Sequence, residues 1–216
     1  MYKIVISACI ANICQFVAGY PIDTLKTWIQ TNKYQPINIQ NLYRGSGRAI
    51  GMGTMIATSA FSGYKYLEQT HPDYISGAII GCSSSIAAVP FDIYRVGSQS
   101  NIGYRFDTKT LVRCAPFTVI REMPYCVLFF TIQSRLRQHT EFESSIIGGI
   151  ASVTAWTVTY PMDSMRTRYI YQTLSGRAMS FQRLIRYDAG LPLSLARVAL
   201  CGSIFMGTYD RLIEMR

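Results

Sequence analysis

The chain has 216 residues, of which 49% are hydrophobic and only 15% charged, against about 25% charged in soluble domains. Its net charge of +9 suits either a nucleic-acid groove or helix ends that meet anionic lipid headgroups. The basic residues stand singly at the margins of apolar stretches, not in patches interleaved with aromatics, so nucleic acid is not the expected partner and a membrane is. The six cysteines, Cys9, Cys14, Cys82, Cys114, Cys126 and Cys201, form no CxxC pair and lie mostly within apolar runs. They read as free, buried thiols and not as a disulfide framework or a metal site.

Taken in chain order, six uncharged runs form the skeleton: Ile4–Ile22, Ala49–Tyr64, Tyr74–Phe91, Met123–Ser134, Ser144–Met162 and Val198–Tyr209. The first could pass for a signal peptide, but the same pattern recurs twice downstream, where no signal peptide can be. The first, third and fifth runs approach the roughly 20 residues that span a bilayer. The other three reach that length only if polar residues such as Arg121, Glu122 and Arg197 are admitted. Ionisable groups at membrane depth face a bundle interior or a water-filled cavity. The pattern therefore predicts an all-α membrane protein, six transmembrane helices around a polar cavity, which accounts for a mean hydropathy of only +0.15. Polar, basic segments at Asn32–Arg48, Asn101–Arg113 and Ser175–Asp188 are each long enough for a short helix lying at the membrane surface. No linker divides the chain, and one domain over 1–216 is expected.

Three copies of one element carry the architecture. The first run ends in Pro21-Ile22-Asp23-Thr24-Leu25-Lys26, the third in Pro90-Phe91-Asp92-Ile93-Tyr94-Arg95, and the fifth in Pro161-Met162-Asp163-Ser164-Met165-Arg166. A proline, an acid two residues on and a base three further recur at offsets of 69 and 71 residues. This defines three tandem two-helix repeats, approximately 1–70, 71–140 and 141–216, with pseudo-three-fold symmetry. Proline within a helix removes one backbone hydrogen bond and kinks it, which membrane bundles tolerate. Acid and base at i and i+3 share one helix face, so each acid can meet the base of the next copy and close a ring of ion pairs.

These copies resemble the P-x-[DE]-x-x-[KR] signature of the mitochondrial carrier family, and the resemblance extends over essentially the whole chain. It implies a monomeric transporter of the mitochondrial inner membrane that alternates access to one central site, with no cofactor, no metal and cardiolipin as a lipid partner. It further implies a matrix gate in which Asp23 pairs with Arg95, Asp92 with Arg166 and Asp163 with Lys26. Gln30 and Gln99 match the family's glutamine brace below that gate, whereas Ile170 stands where the third brace belongs. Leu42-Tyr43-Arg44-Gly45 matches the aromatic-basic-glycine element that opens each even helix. That element is degraded at Val112-Arg113-Cys114 and almost gone around Gly190-Leu191. At the opposite, cytoplasmic end the family pattern is reduced to Tyr64-Lys65 with Glu68, Gln133-Ser134 with Arg137, and Tyr209-Asp210 with Ile213. Its charges are partly reversed and partly missing, which predicts a resting state open on that side.

By the same resemblance, small-molecule substrate contacts fall at Met52 and Gly53, at Arg121 and Glu122, and near Arg197. An arginine followed by an acid resembles carriers of amino acids and related zwitterions, because arginine offers a bidentate fork to a carboxylate and the acid can meet a cation. Alternatively the two side chains satisfy each other. Thr118-Val119-Ile120-Arg121-Glu122-Met123-Pro124-Tyr125 and Ser203-Ile204-Phe205-Met206-Gly207-Thr208-Tyr209-Asp210-Arg211 resemble segments of S-adenosylmethionine carriers. That cargo, in exchange for S-adenosylhomocysteine, heads the expectations. A nucleotide, deoxynucleotide or amino-acid carrier, and a non-transporting membrane adaptor with the same fold, stay open beside it. No nucleophile–base pair, metal cluster or phosphate loop points to an enzyme, and His71 and His139 sit at polar helix ends as solvated residues.

Overall fold

The computed structural model describes residues 2–31, 36–100, 107–176 and 191–214. Six long helices and one short one make up these segments: α1 Tyr2–Thr31, α2 Ile39–Leu42, α3 Ser46–Leu67, α4 Asp73–Gln99, α5 Thr108–His139, α6 Ser144–Ser175 and α7 Leu191–Glu214. Each long helix overruns its uncharged run, because charged and polar residues at the ends of the runs continue the helix. By length and composition four helices suffice to cross a membrane: α1, α4, α5 and α7. The sequence led us to expect six. The other two, α3 and α6, carry more polar side chains, and in α6 Asp163, Arg166 and Arg168 are all buried in the protein.

The helices close a ring. α1 packs on α3, α3 on α4, α4 on α5, α5 on α6, α6 on α7, and α7 returns to α1. Apolar side chains such as Val5, Ile13, Val17, Ile79, Ile86, Val158 and Leu200 lie exposed on its periphery, as a bilayer-facing surface requires. Close approach of backbones holds neighbouring helices together. A Cβ on Gly81 of α4 would come within 2.6 Å of Met123 Cα on α5, and one on Gly77 within 2.9 Å of Val127 Cα. Small residues permit this proximity, and van der Waals contact replaces the hydrophobic driving force that lipid removes.

Pro21, Pro90 and Pro161 each sit inside a continuous helix. Pro21 leaves the Val17 carbonyl without its helical donor, and the Tyr43 hydroxyl donates to that carbonyl at 3.3 Å. The segment before α3 is pinned to α1 in the same way. Tyr20 donates to the Arg44 carbonyl at 2.8 Å and Thr24 to the Leu42 carbonyl at 2.9 Å. Gly45 then starts α3 with φ of +76°, in the left-handed region that glycine enters freely, while a Cβ there would meet Ser98 Cβ at 3.0 Å.

Within the first of the three expected surface segments, Ile39–Leu42 forms a short separate helix, capped by the Asn38 side chain. The second differs from expectation. From Thr108 onward it is already the start of α5, since the degraded element at Val112-Arg113-Cys114 lacks the glycine that would interrupt the helix. Residues 101–106 and most of the third segment, with Gly190, lie outside the described residues.

Gly81→Val should shift a backbone contact and lower the stability of the folded protein by about 1–3 kcal/mol, the usual cost of overpacking. Gly51→Ala, where an added Cβ meets nothing within 4 Å, should change it by less than about 0.5 kcal/mol. Thermal unfolding of the two purified variants in detergent distinguishes them, and equal stability would contradict the close α4–α5 packing.

Candidate functional site

A central cavity of about 250 Å³ lies inside the helix ring. Its floor is ionic. Lys26 on α1 pairs with Asp163 on α6. Arg95 on α4 lies 3.2 Å from Asp23 on α1, and Arg166 on α6 lies 2.8 Å from Asp92 on α4. The three acid–base elements thus meet in a closed ring across α1, α4 and α6. Asp23, Lys26, Asp92, Asp163 and Arg166 are all buried, where attraction between charges is stronger than in water but desolvation is costly.

Gln99 sits just beyond this ring, 2% exposed. It accepts a hydrogen bond from Thr27 at 2.7 Å, and its backbone carbonyl accepts one from the Trp28 indole at 2.9 Å. These bonds tie α4 to α1 through neighbours of the ion-pair ring. Ile170 instead joins an apolar cluster with Val89, Ile93, Val96 and Cys114. The Gln30 side chain lies outside the described residues.

The side chains singled out for substrate divide. Gly53, Arg121, Glu122 and Arg197 line the cavity, but Met52 does not. Met52 is 36% exposed, because successive residues on a helix point about 100° apart and Gly53 takes the inward position. A Cβ at Gly53 would come within 3.0 Å of the Phe16 ring, so glycine lets that aromatic lie against α3.

Arg121 and Glu122 pair with each other, the alternative left open by the sequence, and both also reach the ionic floor. Arg121 Nε is 3.5 Å from Asp163, Glu122 is 3.3 Å from Arg166, and Arg197 Nε is 2.9 Å from Asp23. The cavity wall and the ion-pair ring are one electrostatic network.

Several cavity residues escape a reading of motifs. Trp156 on α6 lies among three cations, with Arg121 at 4.4 Å, Lys26 at 4.7 Å and Arg197 at 5.8 Å from its ring, distances at which the ring quadrupole attracts positive charge. The one sequence signal was its place five residues before Pro161 in a chain with two tryptophans. On the opposite wall, Asn12 donates to Thr58 at 3.2 Å and accepts from Gln15 at 2.5 Å, an amide pair with no motif to announce it.

The far end of the cavity is built differently from its floor. The charges there are indeed sparse: Lys65 pairs with Glu68 on its own helix, and Arg137 bridges to Asp210 at 2.6 Å. Aromatic packing joins the helices at this end. Tyr64 stacks on Phe130 with centroids 3.8 Å apart, and Phe61 meets Phe205 edge-on at 5.0 Å and Tyr209 at 4.8 Å. These five rings join α3, α5 and α7 and are buried. Ring contacts supply cohesion there that does not depend on paired charges.

Comparison with known proteins agrees with this architecture. The family model described as mitochondrial carrier protein matches residues 137–215. S-adenosylmethionine carrier 1, chloroplastic/mitochondrial, of Arabidopsis thaliana is 25% identical, over 93% of this chain and 74% of its own length. A mitochondrial carrier-like protein of Acanthamoeba polyphaga mimivirus is 25% identical over 98% of this chain and 96% of its own. The mitochondrial S-adenosylmethionine carrier protein of Mus musculus is 24% identical over 94% and 90%. The resemblance read from the sequence is thereby borne out: the chain is helical, has helices long and apolar enough to cross a membrane, and is similar along most of its length to mitochondrial carrier-like proteins and S-adenosylmethionine carriers.

Proposed function

We propose that the chain is an alternating-access carrier of S-adenosylmethionine, exchanging it for S-adenosylhomocysteine across the mitochondrial inner membrane. In this reading all six long helices cross the bilayer as three tandem two-helix repeats, the protein works as a monomer, and cardiolipin occupies its lipid-facing grooves. The observation that carries the reading is the sharing of charges between cavity wall and floor. Arg121, Glu122 and Arg197 face the cavity and also touch Asp163, Arg166 and Asp23. A zwitterionic cargo that draws on these side chains weakens their hold on the ring below. Glu122 is the partner for the ammonium and sulfonium end, and the arginines suit the carboxylate. The resemblance to S-adenosylmethionine carriers supports the choice of cargo.

The ring serves as the gate at its end of the cavity. Asp92→Lys and Arg166→Asp should each abolish uptake into proteoliposomes, since an unpaired buried charge costs about 3–5 kcal/mol. Arg166→Asp should be the worse, as the new acid faces Asp92, Asp163 and Glu122 together. The swapped double variant Asp92→Lys/Arg166→Asp restores one pair, so it should recover part of the uptake. A double variant no better than either single one would refute the pairing.

Glu122→Gln should weaken S-adenosylmethionine by roughly thirtyfold, corresponding to about 2 kcal/mol, and weaken S-adenosylhomocysteine, which lacks the sulfonium charge, less. Arg121→Ala should affect both about equally. Competition uptake assays measure all four combinations. Robust transport of nucleoside triphosphates without inhibition by S-adenosylmethionine would sink this cargo and leave the nucleotide reading standing.

A further inference from the structure

Charges around the cavity floor do not balance. Among the described residues, five cations, Lys26, Arg95, Arg121, Arg166 and Arg197, meet four acids, Asp23, Asp92, Glu122 and Asp163. The imbalance is local. Lys26, Arg121 and Arg166 are linked with Asp92, Glu122 and Asp163, three against three. The remaining cluster is Arg95 and Arg197 sharing the single carboxylate of Asp23. One positive charge is therefore uncompensated, and it belongs to the pair of arginines on that side. Arg197 Nε lies close to Asp23 yet completes no hydrogen bond.

Beside Arg197 stands Trp156. It lines the same cavity and is 5% exposed, and its indole N–H has no hydrogen-bond partner among the described residues. A buried donor without an acceptor is costly. An indole N–H donates and never accepts, so the group that satisfies it bears a lone pair. An excess cation and an unpartnered donor beside one cavity call for the same ligand chemistry, an anionic oxygen.

We propose that Arg197 and the indole N–H of Trp156 form the subsite for the carboxylate of the cargo. This rests on the carrier reading above and refines it. Arg121 is already matched by Glu122 and Asp163, so the carboxylate goes to the arginine whose charge is unmatched. Trp156 acts as a specificity-determining residue. Its ring face attracts the surrounding cations and its N–H reads the acceptor.

The test compares S-adenosylmethionine with decarboxylated S-adenosylmethionine, which differ only in the carboxylate, as ligands of the purified full chain in detergent. Wild type should prefer the carboxylate form by at least about tenfold, the worth of one hydrogen bond to a charged group. Trp156→Phe keeps an aromatic ring and loses the donor. It should lose that preference by weakening S-adenosylmethionine alone. Trp156→His, which returns a ring N–H, should regain part of it, a rescue that a purely structural role would not give. Undiminished discrimination by Trp156→Phe would overturn the subsite, as would a wild type indifferent to the carboxylate. If neither adenosyl compound binds wild type, the cargo reading fails. Fluorescence of Trp156 in a Trp28→Phe background, titrated with methionine and with 3-methylthiopropylamine, then decides the subsite. A response to methionine alone supports it, and no response to methionine overturns it.

Discussion

Nine charged side chains share a buried volume at the base of the cavity, and the rest of the structure is arranged around what that requires. Charge removed from water is tolerated only when it is paired and hydrogen-bonded. The helix ring meets this by delivering acids and bases from α1, α4 and α6 to one level, then adding Arg121 and Glu122 from α5 and Arg197 from α7. No helix could bury its own ionisable residues alone. The network therefore makes each helix depend on its neighbours, and it explains why α6, with its buried acid and arginines, is protein-facing along much of its length.

The two ends of the cavity are held by different physics. Ion pairs at the floor are directional, expensive to break singly and of small net worth when intact. Such contacts suit a closure that a charged ligand can compete with. At the opposite end the cohesion comes from Phe61, Tyr64, Phe130, Phe205 and Tyr209, whose contact area and ring geometry do not respond directly to ligand charge. Among the described residues, the Arg137–Asp210 ion pair links two helices there. Where the charged pattern is reduced, packing supplies most of the contact between helices.

Backbone satisfaction is the second constraint on a chain in lipid, where no water replaces a lost hydrogen bond. Pro21 shows how it is met: the freed Val17 carbonyl takes the Tyr43 hydroxyl, and the same stretch pins Tyr20 and Thr24 to the connection before α3. A sequence motif that opens α3 thus also repairs α1. Gly45 belongs to it because a left-handed turn against Ser98 leaves no room for a side chain.

Local periodicity was enough to place the six long helices and the three acid–base elements, because apolar runs and a repeated spacing are properties of the chain itself. The family resemblance, not the periodicity, pointed to Met52, Gly53, Arg121, Glu122 and Arg197. Tertiary structure decided the rest. Met52 and Gly53 are adjacent in sequence, but only the rotation of α3 in the ring determines which of them meets the cavity. Trp156 carries no motif, since its importance lies in three cations from α1, α5 and α7 that come together only in the folded ring. The aromatic cluster likewise depends on contacts between rings on three separate helices. A charge pattern along the chain reports which ion pairs are missing, but it carries no record of the packing that takes their place.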